Sequence, residues 1–110
     1  MAAAWQSQGF DSFGFAALNA HSGIVEEMHP LRRELGPQDR KAVDWHWKHS
    51  VGDAVQLINT QEALDPWFAE ASTIPENVAG LAKIAEQTIV PVAAGEKWRM
   101  APLRSTCVAV

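Results

Sequence analysis

Short apolar segments alternate with longer helix-like segments along most of this 110-residue chain. The short segments have the length of buried strands, and the longer ones carry apolar residues at helical spacing. This alternation predicts βαβ units, whose right-handed crossovers place the strands in one parallel sheet. The predicted strands are Ser12–Ala16, Ala42–Trp47, Trp67–Glu70 and Ile89–Ala94, and the predicted helices are Ser22–Leu35, Ser50–Leu64 and Glu76–Thr88.

Residues that favour helix starts mark two of the predicted helices. Ser50 is expected to cap the second helix through its hydroxyl. Thr73 and Glu76, with Pro75 in the first turn, have the spacing of a capping box for the third. Pro30 lies inside the first helix and removes a backbone hydrogen bond, so we expect a kink or a late start there.

The composition limits the kinds of partner that the chain can bind. The net charge is −4 and no basic stripe is present, which argues against a nucleic-acid surface. Cys107 is the only cysteine, which excludes an internal disulfide and favours a reducing compartment. No apolar run approaches the roughly 20 residues that span a bilayer, and a signal-peptide pattern is missing. We therefore expect a cytoplasmic protein that binds neither nucleic acid nor membrane.

Three of the predicted strands have an acidic residue close to their carboxyl ends, namely Asp44, Glu70 and Glu96, and both separations are 26 residues. A constant period returns each carboxylate to an equivalent position on the next strand, so adjacent strands would bring the three together. Oxygen ligands of this charge suit a hard cation, Mg²⁺ above all. Chance register among 13 acidic residues is the alternative. The position of all three at the ends of apolar strands favours a shared site.

Four stretches carry a family resemblance: Asp44–His46, Trp67–Ala71, Ile74–Val78 and Pro91–Glu96. They resemble the metal-binding half of the mandelate racemase/muconate lactonising enzyme group of the enolase superfamily. Pro-Glu-Asn at the start of a helix and Ala-Gly-Glu at the end of the next strand are especially similar to galactonate- and mannonate-type sugar-acid dehydratases. The resemblance runs from about residue 9 to residue 99.

The resemblance implies an α/β fold, namely a partial (β/α)8 (TIM-type) barrel with about three to four βα units and parallel strands. Residues 1–99 are then a fragment of the C-terminal barrel domain that carries the metal-ligand strands. Residues 100–110 depart from the pattern and form a divergent tail.

The resemblance also implies a reaction and its residues. In that family three carboxylates hold one Mg²⁺, and an α-proton and a β-hydroxyl leave a galactonate-like sugar acid through a metal-stabilised enediolate. Asp44, Glu70 and Glu96 would be the metal ligands. His46 stands where the dehydratases have a general acid that helps the hydroxyl leave. Lys48 is a candidate contact to the substrate.

His46 also has an interpretation from its position alone. It follows Asp44 by two residues in a predicted strand, so both side chains should point to the same face. Imidazole suits general acid chemistry because its ordinary pKa lies near neutrality. A histidine packed between Trp45 and Trp47, with no proton to give, is an equally strong alternative.

The sequence departs from the family in two respects. Many members carry a Lys-x-Lys pair on the strand before the aspartate, where Gly14 and Ala16 stand here and neither can act as a base. The later strands with the second base and the N-terminal capping domain have no counterpart. We expect the chain to be inactive alone and to self-associate through the exposed edges of a half-barrel. The alternatives are a non-catalytic interaction or oligomerisation module, or a racemase or cycloisomerase of the same superfamily.

Overall fold

The computed structural model of the chain describes residues 2–16 and 21–97. Residues 100–110, the predicted tail, lie outside the described part. Within the described part, no helix is long and apolar enough to cross a membrane. The elements in chain order are α1 (Ala2–Gln6), β1 (Ser12–Ala16), α2 (His21–Leu35), β2 (Arg40–Asp44), α3 (Val51–Gln61), a 3₁₀ turn (Glu62–Leu64), β3 (Phe68–Glu70), α4 (Val78–Gln87) and β4 (Val92–Ala93).

The four strands form one parallel sheet in which spatial order equals chain order, β1-β2-β3-β4. The predicted α/β class is confirmed. Parallel pairing places all the strand carboxyl ends at one edge, where α/β proteins build their sites. At that edge Ala16 pairs with Asp44, and Asp44 pairs with Glu70.

Helices α2, α3 and α4 contribute to a hydrophobic core on one face of the sheet. Because strand side chains alternate, Val43 and Ala69 point into this core while Ala42, Asp44 and Glu70 belong to the opposite face. Burial of each large apolar side chain contributes about 1.5–3 kcal/mol. The core consists of Met28, Val43, Trp45, Ala54, Leu57, Ile58, Ala69, Ile84 and Val90.

Two strands are shorter than the sequence predicts. β2 ends at Asp44 rather than at Trp47, because His46 and Trp47 leave the extended conformation and have φ angles of 54° and 59°. β4 is confined to Val92–Ala93, and Ile89, the predicted start of that strand, is 78% exposed. The hydrogen bonds to the neighbouring strand set the ends of both strands, and the composition of one strand does not reveal those bonds.

The starts of α2 and α3 test two of the expectations. Ser50 caps α3 as predicted, and its Oγ accepts a hydrogen bond from the Asp53 N–H at 3.2 Å. The late start expected for α2 is wrong, because this helix begins at His21 and runs without interruption through Pro30. Met28, which is fully buried, anchors this helix in the core, and that packing outweighs the missing hydrogen bond.

The capping box predicted for α4 is wrong. Asn77 is the cap instead, and its Oδ1 accepts a hydrogen bond from the Gly80 N–H at 2.9 Å. The Thr73 hydroxyl donates to the carbonyl of His49 at 3.0 Å, so it is engaged with the loop before α3. Glu76 lies in the turn that precedes the helix.

Two basic side chains fasten the loops that lead into β2 and β3. Lys41 is fully buried and its Nζ donates to the carbonyls of Gly36, at 2.8 Å, and of Asp39. Burial lowers the pKa of Lys41, and the nearby Arg32 guanidinium acts in the same direction. Arg32 Nε in turn donates to the carbonyl of Leu64 at 2.9 Å. These contacts brace the amino-terminal edge of the sheet, away from the carboxylates.

Candidate active site

The carboxyl ends of β2 and β3 bring two of the predicted ligands side by side. Asp44 and Glu70 close their strands and are direct register partners. Glu96 is placed differently, because the register partner of Glu70 is Ala93, three residues before Glu96. The expectation that Glu96 occupies an equivalent strand position is therefore wrong. It stands in the turn after β4, just past Gly95, whose φ is 136°.

Glu70 shows the electrostatic effect of this arrangement. Partial burial is the largest cause of its raised pKa, and the carboxylates of Asp44 and Glu96 raise the pKa further. The folded chain therefore holds the Glu70 proton more tightly than the unfolded chain. By linkage, this group destabilises the fold as pH rises from its ordinary pKa through the raised one. A cation beside Glu70 would remove that penalty.

The donor set fits a hard divalent cation, since all three side chains offer oxygen and repel one another without a counter-charge. Their placement is not yet that of a closed coordination sphere. Within residues 2–16 and 21–97, no three His, Cys, Asp or Glu side chains are grouped so that they could hold a metal ion. Glu96 is exposed. Its carboxylate raises the pKa of Glu70 but does not form a metal-binding group with it among the described residues.

His46 lies close to Asp44, but in a backbone conformation that the sequence did not indicate. It lies in the turn after β2 rather than on the strand, so the same-face argument is wrong. Its backbone N–H donates to Asp44 Oδ1 at 2.9 Å, and its Nδ1 lies 3.8 Å from Asp44 Oδ2. The side chain is 48% exposed, which disfavours the packed-histidine alternative. This geometry leaves Nε2, on the far side of the ring, as the nitrogen that could give a proton.

Hydrogen bonds beyond the strand ends join the loops that follow them. Trp45 N–H donates to the Glu70 carbonyl, and Trp47 N–H donates to the Ala71 carbonyl at 2.8 Å. Ala71 N–H donates in turn to the Ala93 carbonyl at 2.9 Å. Ala71 has a φ of 48°, a left-handed conformation that is uncommon for a residue with a side chain. The carboxylate-bearing ends are thus held by backbone contacts.

Lys48 is exposed at the start of the loop that leads to α3. Its backbone N–H approaches the Trp45 carbonyl at 3.5 Å, which continues the turn after β2. A substrate contact by Lys48 stays a prediction.

A cavity of about 390 Å³ opens on the sheet face opposite the helices and reaches Asp44 and Glu70. Gly14 and Ala16 line it, so the positions that match the Lys-x-Lys pair do face the carboxylates. Neither brings an amine. Two aromatic side chains that the sequence analysis did not assign to the site, Trp67 and Phe68, line the wall. The available signal was the strand position of Phe68, which is next to Ala69 and therefore on the opposite face. The complete lining is Ser12, Phe13, Gly14, Ala16, Ala42, Asp44, Trp67, Phe68 and Glu70.

The sequence profile of the Enolase C-terminal domain-like family matches residues 1–101. The chain belongs to that family. The fold of the family is of the TIM-barrel type, in agreement with the parallel βα units described above. The prediction of an enolase-superfamily barrel fragment is confirmed.

Several members of the family are similar to this chain over most of its length. The D-galactonate dehydratase of Ralstonia nicotianae is 29% identical in an alignment of 103 positions that covers 86% of this chain and 27% of that protein. A proposed isomerase from Sinorhizobium meliloti is 44% identical with a TM-score of 0.88, over 96% of this chain and 28% of that one.

A racemase from Streptomyces coelicolor with bound magnesium shares the fold, with 23% identity and a TM-score of 0.88 over 96% of this chain and 30% of that one. The chain thus spans between a quarter and a third of the length of each of these relatives. Its sequence is similar to that of a galactonate dehydratase and of a proposed isomerase, and it shares its fold with a racemase.

Proposed function

We propose that this chain supplies the metal-binding strands of a Mg²⁺-dependent sugar-acid dehydratase and is inactive by itself. One observation carries the proposal: Asp44 and Glu70 are register partners at the carboxyl edge, and the Glu96 carboxylate is near enough to raise the pKa of Glu70. Two carboxylates at the mouth of a cavity, with a third near enough to repel one of them, are an arrangement that a divalent cation stabilises. The galactonate dehydratase relative supplies the substrate class.

Asp44, Glu70 and Glu96 would hold the ion, which when bound acts as a Lewis acid on the carboxylate of a sugar acid. Glu96 has to swing from its exposed position toward Glu70 to complete the set. Gly95 precedes it and adopts a φ that few other residues tolerate, so this turn can accommodate the movement.

His46 is the proposed general acid. Asp44 Oδ2 lies 3.8 Å from its Nδ1, which leaves Nε2 as the nitrogen that would protonate the departing β-hydroxyl, so that water leaves. The described part of β1 offers no base at positions 14 and 16, because glycine and alanine carry no titratable group. The base that removes the α-proton would come from a part of the barrel other than β1, which is why we propose that the chain is inactive alone.

A racemase or isomerase is the second candidate, and the 44% identity with the proposed isomerase favours it. The two reactions share the metal and the α-proton step, and they differ in whether a hydroxyl leaves. Dehydration needs a proton donor at the β-hydroxyl, the role proposed for His46, whereas racemisation needs its proton donor at the α-carbon. We therefore place dehydration first.

Calorimetric titration with Mg²⁺ tests the metal site. The wild-type chain is expected to bind about one ion, and Asp44→Ala/Glu70→Ala is expected to abolish binding because two of the three ligands are lost. Affinity is expected to rise as pH rises through the raised pKa of Glu70, since only the ionised carboxylate is a ligand.

The control is Glu62→Ala/Glu86→Ala, which removes two exposed carboxylates from the 3₁₀ turn and α4 and changes the net charge equally. It is expected to bind Mg²⁺ like the wild type. Circular dichroism establishes that each variant is folded. A folded wild-type chain that does not bind Mg²⁺, or a control that loses as much affinity as the site variant, would refute the proposed site.

We also propose that the chain associates with a second copy of itself. Among the described residues, the outer edges of β1 and β4 have no strand partner, and Trp67, beside the open sheet face, is 41% exposed. Unpaired edges and an open apolar face both favour association. Sedimentation is expected to show a dimer or larger species that Trp67→Glu shifts toward monomer. A wild-type chain that stays monomeric at about 100 μM would contradict this, since specific dimers are commonly tighter.

A further inference from the structure

Lys97, the residue after Glu96, is positioned by an aromatic ring from a distant part of the chain. Its Nζ lies 4.8 Å from the centroid of the Trp47 ring. The Trp47 ring is itself 4.4 Å from the ring of His46, at an interplanar angle of 39°. These three residues form a row, here called the Trp47 bracket, that joins the turn after β2 to the turn after β4.

The bracket rests on a defined backbone. His46 and Trp47 both have left-handed φ angles, and Trp47 N–H is bonded to the Ala71 carbonyl. Lys97 lies over the π face of the half-buried Trp47 ring, where a cation is attracted. An exposed lysine with no such partner would sample many positions. Here the positive charge is held beside the carboxylate edge.

The total charge of the cation-loaded site gives the ammonium group of Lys97 a role. The ionised side chains of Asp44, Glu70 and Glu96 with one divalent cation would leave a net charge of minus one. A sugar acid brings a further negative charge, which such a site repels until a positive group offsets it. Lys97, whose ammonium group lies over the Trp47 ring next to His46, is a positive group that the structure places at this edge.

We infer that Lys97, positioned by Trp47, admits a monocarboxylate ligand to the cation-loaded site. The inference rests on the proposed function and adds a residue that determines its ligand class. It also predicts opposite effects of one substitution. Loss of the Lys97 charge weakens the binding of an anion, whereas it leaves Mg²⁺ affinity unchanged or higher, because one repulsive charge near the ion has gone.

The test is a two-stage titration of the 110-residue chain, first with Mg²⁺ and then, at saturating Mg²⁺, with D-gluconate as the anionic probe. Lys97→Gln is expected to weaken gluconate binding about threefold, the effect of one exposed charge, without weakening Mg²⁺ binding. Lys97→Arg keeps a cation that can lie over Trp47 and is expected to restore wild-type affinity. Lys83→Gln, which removes an exposed lysine from α4, is the matched control and is expected to change neither affinity.

The outcomes separate the two claims. A wild-type chain that binds no Mg²⁺ overturns the metal site and this inference together. Normal Mg²⁺ binding with unchanged gluconate affinity in Lys97→Gln overturns the inference alone. A parallel loss of both affinities in Lys97→Gln shows a structural effect and also overturns it. Equal loss of gluconate affinity in Lys83→Gln would assign the effect to net charge rather than to the Trp47 bracket.

Discussion

Trp45→Ala is expected to lower the free energy of unfolding by about 3–5 kcal/mol, the range for a fully buried tryptophan. Trp45 is fully buried, and its ring packs edge-on against His49 with centroids 5.2 Å apart. Its Nε1 has no hydrogen-bond partner among the described residues, so the loss comes from packing and from the cavity left behind. Domains are commonly stable by only about 5–15 kcal/mol, so this substitution would remove a large share of the stability of the fold.

Urea denaturation followed by far-ultraviolet circular dichroism measures this effect. Trp67→Ala is the control, because Trp67 is 41% exposed. The Cζ of the Arg40 guanidinium lies 4.9 Å from the centroid of its ring. Its loss is expected to be about 1 kcal/mol or less, in the range of an exposed cation–π contact. Similar losses at the two positions would show that Trp45 does not organise the core.

Gly80→Ala is expected to destabilise the chain by about 2–4 kcal/mol, even though alanine is the better helix former. A Cβ at Gly80 would lie 2.3 Å from Asn77 Nδ2 and 2.7 Å from Val51 Cγ2. The first clash displaces the cap of α4, worth about 1 kcal/mol, and the second separates α4 from α3 at a further overpacking cost of about 1–3 kcal/mol.

Gly52→Ala, in the neighbouring helix α3, is expected to have the opposite effect on stability. A Cβ at Gly52 would meet no atom within 4 Å, so this substitution is expected to stabilise the chain by about 0.4–1 kcal/mol. Thermal unfolding of both variants beside the wild type checks the pair. Stabilisation by both substitutions would mean that α4 does not approach α3 as closely as the structure shows.

The parts of the fold that depend on local pattern were predictable. Ser12–Ala16 was placed without error, and the Ser50 cap follows from the hydroxyl before an apolar stripe. The pairing of Asp44 with Glu70 follows from one strand, one crossover helix and one constant period. In each case the deciding interactions lie within one βα unit or between two consecutive units.

The parts that failed depend on distant residues. Thr73 and Asn77 both suit a helix cap, and the contact of Thr73 with the carbonyl of His49, 24 positions earlier, decided between them. The short helix α1 is tied to α2 by the Ala3 N–H, which donates to Glu34 Oε1 at 3.1 Å, and a five-residue segment gives no such signal.

The site was predicted in its composition and only in part in its geometry. Asp44 and Glu70 stand where expected, whereas Glu96 falls in a turn because β4 is only two residues long. His46 comes close to Asp44 through a left-handed turn at two residues that are not glycine, which propensity alone disfavours. Such exceptions concentrate at functional sites.

The agreement between spatial order and chain order in the sheet has a consequence for synthesis on the ribosome. Each strand pairs with the one made just before it, so every new βα unit finds its partner already assembled. At about 5–20 residues per second a unit of this length emerges in a few seconds, far longer than a helix of its size takes to form. During synthesis the sheet from β1 to β4 can thus be assembled in the order in which its strands emerge, each strand pairing with the one before it.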